Sequence, residues 1–151
     1  MNKTFAVALT IPDNEAFTAL AALRRLGLPL GGVRRADIWS FEVDAAEAAG
    51  LPQTLATVET VFNPNKHELT ERAGAHPLAG EVWIVPQDEG GAVRVGGRAL
   101  AGVREVRRAV AWQLFEVSGA LATPELLDRA IETFLCNPAF QKAITIRKVP
   151  R

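Results

Sequence analysis

Cysteine is almost missing from this 151-residue chain, in which Cys136 stands alone. One thiol makes no internal disulfide and supplies no cysteine-rich zinc site. A surplus of charge is missing too, since 17 Lys and Arg face 17 Asp and Glu. That balance argues against nonspecific binding to nucleic acid or to an anionic membrane surface, which needs excess positive charge. It leaves a local basic patch open. No apolar run approaches the ~20 residues of a membrane span. The run after Met1-Asn2-Lys3-Thr4 is broken by Pro12 and Asp13, so no signal peptide is expected. The cytoplasm is the expected location, and neither nucleic acid nor membrane is an expected partner.

Histidine is scarce as well. His67 and His76 are nine apart, which does not match a metal-binding His-x-x-x-His spacing, so no metal site is assigned. Cys136 falls at the end of an expected helix, where the dipole does not activate a thiol, and is read as structural. No acid, base and nucleophile converge in the sequence. Catalytic residues and cofactors are therefore left unassigned, and catalysis by the chain alone is not expected. What remains is a normal globular composition, 48% hydrophobic and 23% charged, with ample material for a core.

The informative feature is internal similarity. Val33-Arg34-Arg35-Ala36 followed by Trp39 matches Val106-Arg107-Arg108-Ala109 followed by Trp112, an offset of 73 (112 − 39). Phe41-Glu42-Val43 matches Phe115-Glu116-Val117, and Asn63-Pro64 matches Asn137-Pro138, both at 74. Pro12 with Glu15 matches Pro86 with Glu89, again at 74. Two copies are too few for a solenoid and suggest a dimer fused into one chain. The expected organisation is a first repeat over 1–72, a linker over 73–80 and a second repeat over 81–151.

Each copy reads as an α+β unit. Phe5–Ile11 and Val82–Val85 are strands closed by prolines. Residues 15–26 form a helix, with Ala16, Ala19, Leu20, Leu23 and Leu26 on one stripe, Asp13 or Asn14 as cap and Gly27 as stop. In the second copy Gly90, Gly91, Gly96, Gly97 and Gly102 erode that helix, and a loop or hairpin is expected around 92–95. Residues 33–43 and 106–117 predict a hairpin or one long bent strand. Trp39, Phe41 and Val43 share a face, and the tryptophans are read as core or interface anchors. A second helix follows in each copy. It opens on an Asp44/Glu47 capping box with Leu51, Leu55, Val58 and Phe62 inward, or on Thr123-Pro124-Glu125 with Leu127, Ala130, Ile131 and Phe134 inward. Asn63-Pro64 and Asn137-Pro138 are expected to end these helices through a left-handed asparagine. The last strands are Asn65–Arg72, polar enough for an edge, and Ala143–Val149, with Ile144 and Ile146 inward. The order is βαββαβ per copy, which predicts antiparallel sheets with helices on one face.

With Val33-Arg34, Phe41-Glu42-Val43, and Leu55 through Asn63-Pro64 in that order, and again Val106-Arg107, Phe115-Glu116-Val117, and Leu127 through Asn137-Pro138, each copy resembles PurS. That family supplies the small subunit of formylglycinamide ribonucleotide amidotransferase in purine biosynthesis. The resemblance covers most of the chain, chiefly 31–72 and 104–148. It implies two ferredoxin-like repeats and a non-catalytic scaffold that joins synthetase and glutaminase subunits and helps ammonia pass between them. A fused pair would replace a dimer, and further self-association into a homo-oligomer is a second expectation. Where the family has Gly-Lys in its hairpin turn, this chain has Ala36-Asp37 and Ala109-Val110. A family protomer is also only half as long.

Arg34, Arg35, Arg107 and Arg108 are the candidate binding residues. Guanidinium groups bind carboxylate or phosphate in bidentate fashion, and equivalent pairs would make a shared basic patch. The competing reading is strand edges with local ion pairs. The competing function is a regulatory domain of paired βαββαβ type that senses a small molecule, with a small ferredoxin-like enzyme third.

Overall fold

The computed structural model of the chain describes residues 1–88 and 91–146. In chain order its elements are β1 (Asn2–Leu9), α1 (Asn14–Arg25), β2 (Leu30–Val43), α2 (Ala45–Ala48), α3 (Leu51–Leu55) and β3 (His67–Arg72). After the connection come β4 (Glu81–Pro86), β5 (Arg94–Val95), β6 (Arg98–Ala99), β7 (Val103–Glu116), α4 (Pro124–Ala130), a π-helical segment (Ile131–Leu135) and β8 (Gln141–Ile144). The fold is α+β. Six strands form one sheet in the order β3-β1-β2-β7-β4-β8, and β5 and β6 form a separate hairpin. β1 pairs antiparallel with β2 and β3, and β4 pairs antiparallel with β7 and β8. Among the described residues no helix is long and apolar enough to cross a membrane.

The βαββαβ order needs a hairpin after the first helix, and one continuous strand of 14 residues stands there instead, in β2 and again in β7. The sequence explains why. A two-residue hairpin needs positive φ at its turn, and Ala36-Asp37 and Ala109-Val110 contain no glycine or asparagine to adopt it. The chain therefore runs straight on. β7 starts 73 residues after β2 (103 − 30), so both strands carry arginine at their sixth position and tryptophan at their tenth. The glycine-rich stretch forms the expected hairpin, turning at Gly96 and Gly97 with φ of +55° and +78°.

The helices follow their caps. The Asp13 carboxylate accepts from the amides of Glu15 and Ala16 at 3.0 and 3.2 Å, and Gly27 with φ +90° ends α1. Ala16, Ala19 and Leu23 are buried, but Leu26 is 52% exposed, because it is already the cap residue beyond the last helical turn. Thr123 Oγ1 accepts from the Leu126 amide at 3.3 Å. Asp44 makes no such bond; its carboxylate holds Arg104 Nε at 2.8 Å instead, so the capping box is absent. Phe134, expected inward, is 45% exposed. It lies in the π-helical segment, whose i→i+5 bonding breaks the 3.6-residue register that placed Leu127 and Ala130 inward. Ile146, also expected inward, is 56% exposed beyond the end of β8. Val149 lies outside the described residues.

Asn63 and Asn137 are not left-handed, since no non-glycine residue among those described has positive φ. A proline follows each asparagine and biases it towards extended backbone. Their side chains do the work instead. Asn63 Oδ1 accepts from the Asn65 amide at 3.0 Å, and Asn137 Oδ1 accepts from the Ala139 amide at 3.1 Å, the geometry of an Asx turn. The match extends to four more bonds. His67 N donates to Asn63 O and Gln141 N to Asn137 O, both at 2.8 Å; Lys66 N donates to Asn63 O and Phe140 N to Asn137 O, both at 3.0 Å. Thr10 N donates to Lys66 O at 2.9 Å, and Gln87 N to Phe140 O at 2.8 Å. Finally, the Asn63 amide donates to His67 Nδ1 and the Asn137 amide to Gln141 Oε1, both at 2.9 Å.

The chain divides into two compact units, each built from segments of both sequence halves. One comprises Met1–Pro12, Ala36–Ala75 and Gly90–Arg108; the other comprises Asp13–Arg35, His76–Glu89 and Ala109–Arg151. In the first, Phe5, Val7, Trp39, Phe41 and Val43 on the strands pack with Leu51, Leu55, Val58 and Val61, and with Val95 and Leu100 from the hairpin region. Phe5 and Phe41 meet edge to face at 6.1 Å between centroids. In the second, Val82, Ile84, Leu30 and Leu114 pack with Leu23 of α1 and with Leu126, Leu127, Ala130 and Leu135. The caps are separable contributions to these packed helices. Asp13→Ala and Thr123→Ala should each lower stability by about 1 kcal/mol in urea denaturation, through loss of a side-chain acceptor at a helix start.

Candidate functional site

The four candidate arginines are divided between the units. Arg34 and Arg35 belong to the second, Arg107 and Arg108 to the first. Neighbours on a strand project to opposite faces, so the guanidinium groups of each pair serve different faces. Arg34 lies over the Phe115 ring, 5.3 Å from its centroid, while Arg35 lies over the Trp112 ring at 5.8 Å. Glu15 Oε2 sits 3.2 Å from Arg35 Nε, and the Arg35 side chain is only 18% exposed. In the first unit Arg108 lies over the Trp39 ring at 5.0 Å, with Asp37 Oδ2 at 3.3 Å from its Nη2. Arg107 Nη2 is 2.6 Å from Glu105 Oε1.

The same device thus occurs once in each unit. Arginine six of β2 stacks on tryptophan ten of β7, and arginine six of β7 stacks on tryptophan ten of β2. A stacked guanidinium contributes about 0.5–1 kcal/mol when exposed and about 2 when desolvated. Each stacked guanidinium also has a carboxylate within ion-pair range, Glu15 beside Arg35 and Asp37 beside Arg108. The two sites differ in that acid. Glu15 comes from α1, whereas Asp37 comes from β2, two residues before the tryptophan beneath Arg108. Trp39 is 5% exposed, and its indole N–H has no hydrogen-bond partner among the described residues.

The third tryptophan is held differently. Trp83 Nε1 donates to Glu81 Oε1 at 2.7 Å, and the Leu78 amide donates to the same oxygen at 3.2 Å. Glu81 is itself buried, with 4% exposure. A carboxylate withdrawn from water requires such donors, and this one ties the connection between the sequence halves to the first residue of β4. Sequence reasoning did not single out Glu81. The legible signal was its spacing of two from Trp83, which places both on one face of a strand.

Nearby in the second unit is a small cleft of about 100 Å³ lined mainly by Gly80, Leu121, Leu127, Asp128 and Thr145. Among the described residues no group of three His, Cys, Asp or Glu is placed to hold a metal ion. His67 and His76 fall in different units. Cys136 is half-buried, and burial pushes its thiol above the ordinary value, which disfavours the nucleophilic thiolate.

The chain matches no protein-family model and no curated protein.

Two substitutions separate these contacts. Glu81→Ala leaves the buried Trp83 indole N–H and the partly buried Leu78 amide without their acceptor and should cost about 3 kcal/mol, whereas Glu81→Gln keeps an acceptor oxygen and should cost less. Trp39→Phe removes an N–H that has no partner among the described residues and should cost about 1 kcal/mol, against about 4 for Trp39→Ala, which empties the core of the ring. Chemical denaturation of the four variants checks both orders.

Proposed function

We propose that the chain is a tandem duplication of a PurS-like unit that acts by binding other proteins, joining a synthetase subunit to a glutaminase subunit as the resemblance implies. The observation that carries the duplication is the Asn-Pro turn. Five hydrogen bonds around Asn63 recur around Asn137 with the same donors and acceptors, through a side chain of another type at position 67 versus 141. The three bonds to the Asn63 and Asn137 oxygens are those of an Asx turn, which recurs in unrelated proteins. A set of five in the same order, together with two strands of equal length bearing arginine and tryptophan at equal positions, is what fusion of two copies of one gene segment leaves behind. Continuous strands in place of the family hairpins are the main departure. In this reading they replace a family dimer's separate chains with one.

The cleft beside Gly80 and Leu121 favours a second reading, a regulatory domain that binds a small molecule. A cleft of that volume accommodates only a few non-hydrogen atoms, so the binding-subunit reading ranks first.

Affinity purification of the tagged full chain from its native lysate, with mass spectrometry, tests the first reading. Recovery of synthetase and glutaminase subunits together supports it, and their absence under conditions that preserve other complexes overturns it. In that case a specific rise in melting temperature with a single metabolite would support the second reading.

A further inference from the structure

We propose that His67 makes the Asn-Pro turn of the first unit acid-sensitive, while Gln141 leaves the matching turn of the second unit indifferent to acid. The Asn63 amide donates to His67 Nδ1 at 2.9 Å. A backbone N–H is only a donor, so Nδ1 must carry a lone pair and the ring proton must sit on Nε2. In imidazolium both nitrogens are donors. Protonation therefore turns this contact into two N–H groups facing each other. The corresponding acceptor on the other turn is an amide oxygen at the same 2.9 Å, which does not titrate.

The cross-strand partner of His67 on β1 is Leu9, and the Phe62 ring lies 6.5 Å from its own. Among the described residues no carboxylate ion-pairs or hydrogen-bonds with the imidazole. The charged residues adjoining it in sequence are Lys66, which adds repulsion, and Glu68, which alternation directs to the other face of β3.

The contact stands where the chain enters β3, a strand at the end of the sheet that pairs with β1 alone. Such edges open before the sheet interior does. The bond needs the neutral ring and is lost when the ring takes up a second proton, so acid loosens the entry to β3 while the entry to β8 stays closed.

Amide hydrogen exchange of the wild-type chain, read by nuclear magnetic resonance at pH 8 and pH 5 and corrected for intrinsic rates, tests this directly. Protection of the Asn63 amide should fall about tenfold, and that of Asn137 by less than about twofold, as expected for one lost hydrogen bond. His67→Gln should give Asn63 the flat response of Asn137. Ring nitrogen shifts at pH 8 should place the proton on Nε2. Equal pH responses at the two asparagines, a variant that responds like the wild type, or a proton on Nδ1 at pH 8 would each overturn the proposal. The wild-type comparison carries its own control even if the variant does not fold.

Discussion

A strand of 14 residues is about 46 Å long, whereas a compact body of half this chain is only about 30 Å across. β2 and β7 therefore cannot each be spent on one core. Leu30 and Val33 of β2 belong to one packed unit and Trp39, Phe41 and Val43 to the other; Val103 and Val106 of β7 belong to one and Leu114 to the other. That constraint follows from the absence of a turn-forming residue at Ala36-Asp37 and Ala109-Val110. It also explains why the units interleave segments from both ends of the sequence. Covalent continuity of two strands does here what short loops do in a protein built from successive domains.

Once these strands are continuous, the arginine at their sixth position and the tryptophan at their tenth become partners between the two strands rather than within one. Arg35 covers Trp112 and Arg108 covers Trp39. The aromatic surface keeps its contact with carbon-rich planes, and the guanidinium groups ion-pair with Glu15 and Asp37. A motif that looks like a doubled arginine pair in sequence is thus two separate stacked pairs. The second arginine of each tandem is tied to an aromatic ring, and the other turns towards Phe115 or Glu105. The buried polar groups follow the usual economy of interiors. Glu81 is satisfied by two donors, while the Trp39 N–H is tolerated without one because the ring makes extensive apolar contact.

Much of the fold was legible because it depends on local rules. Asp13, Gly27, Thr123 and Pro124 mark helix ends through their own side chains and φ preferences, and these positions need no knowledge of the rest of the molecule. Alternation placed Trp39, Phe41 and Val43 on one core. The failures have an equally specific origin. Leu26, Phe134 and Ile146 were assigned inward by extending a period past the point where the element changed, at a cap, at a π-helical segment and beyond the end of a strand. Asp44 satisfied the pattern of a capping box but had a better partner in Arg104, sixty residues away, which no local pattern contains. The sequence singled out the four arginines but not the aromatic rings and acids that their side chains meet, for the same reason.

By itself the sequence determined the α+β class, the helix starts at Asp13 and Thr123 and the positions of the Asn-Pro turns, because those depend on φ, on alternation and on side chains that reach only a few residues. The tertiary structure alone decided which compact unit each segment joins, which tryptophan each arginine covers, and that Glu81 is a buried acceptor. Those choices are made by contacts between residues far apart in the chain, whose energies no window of sequence contains.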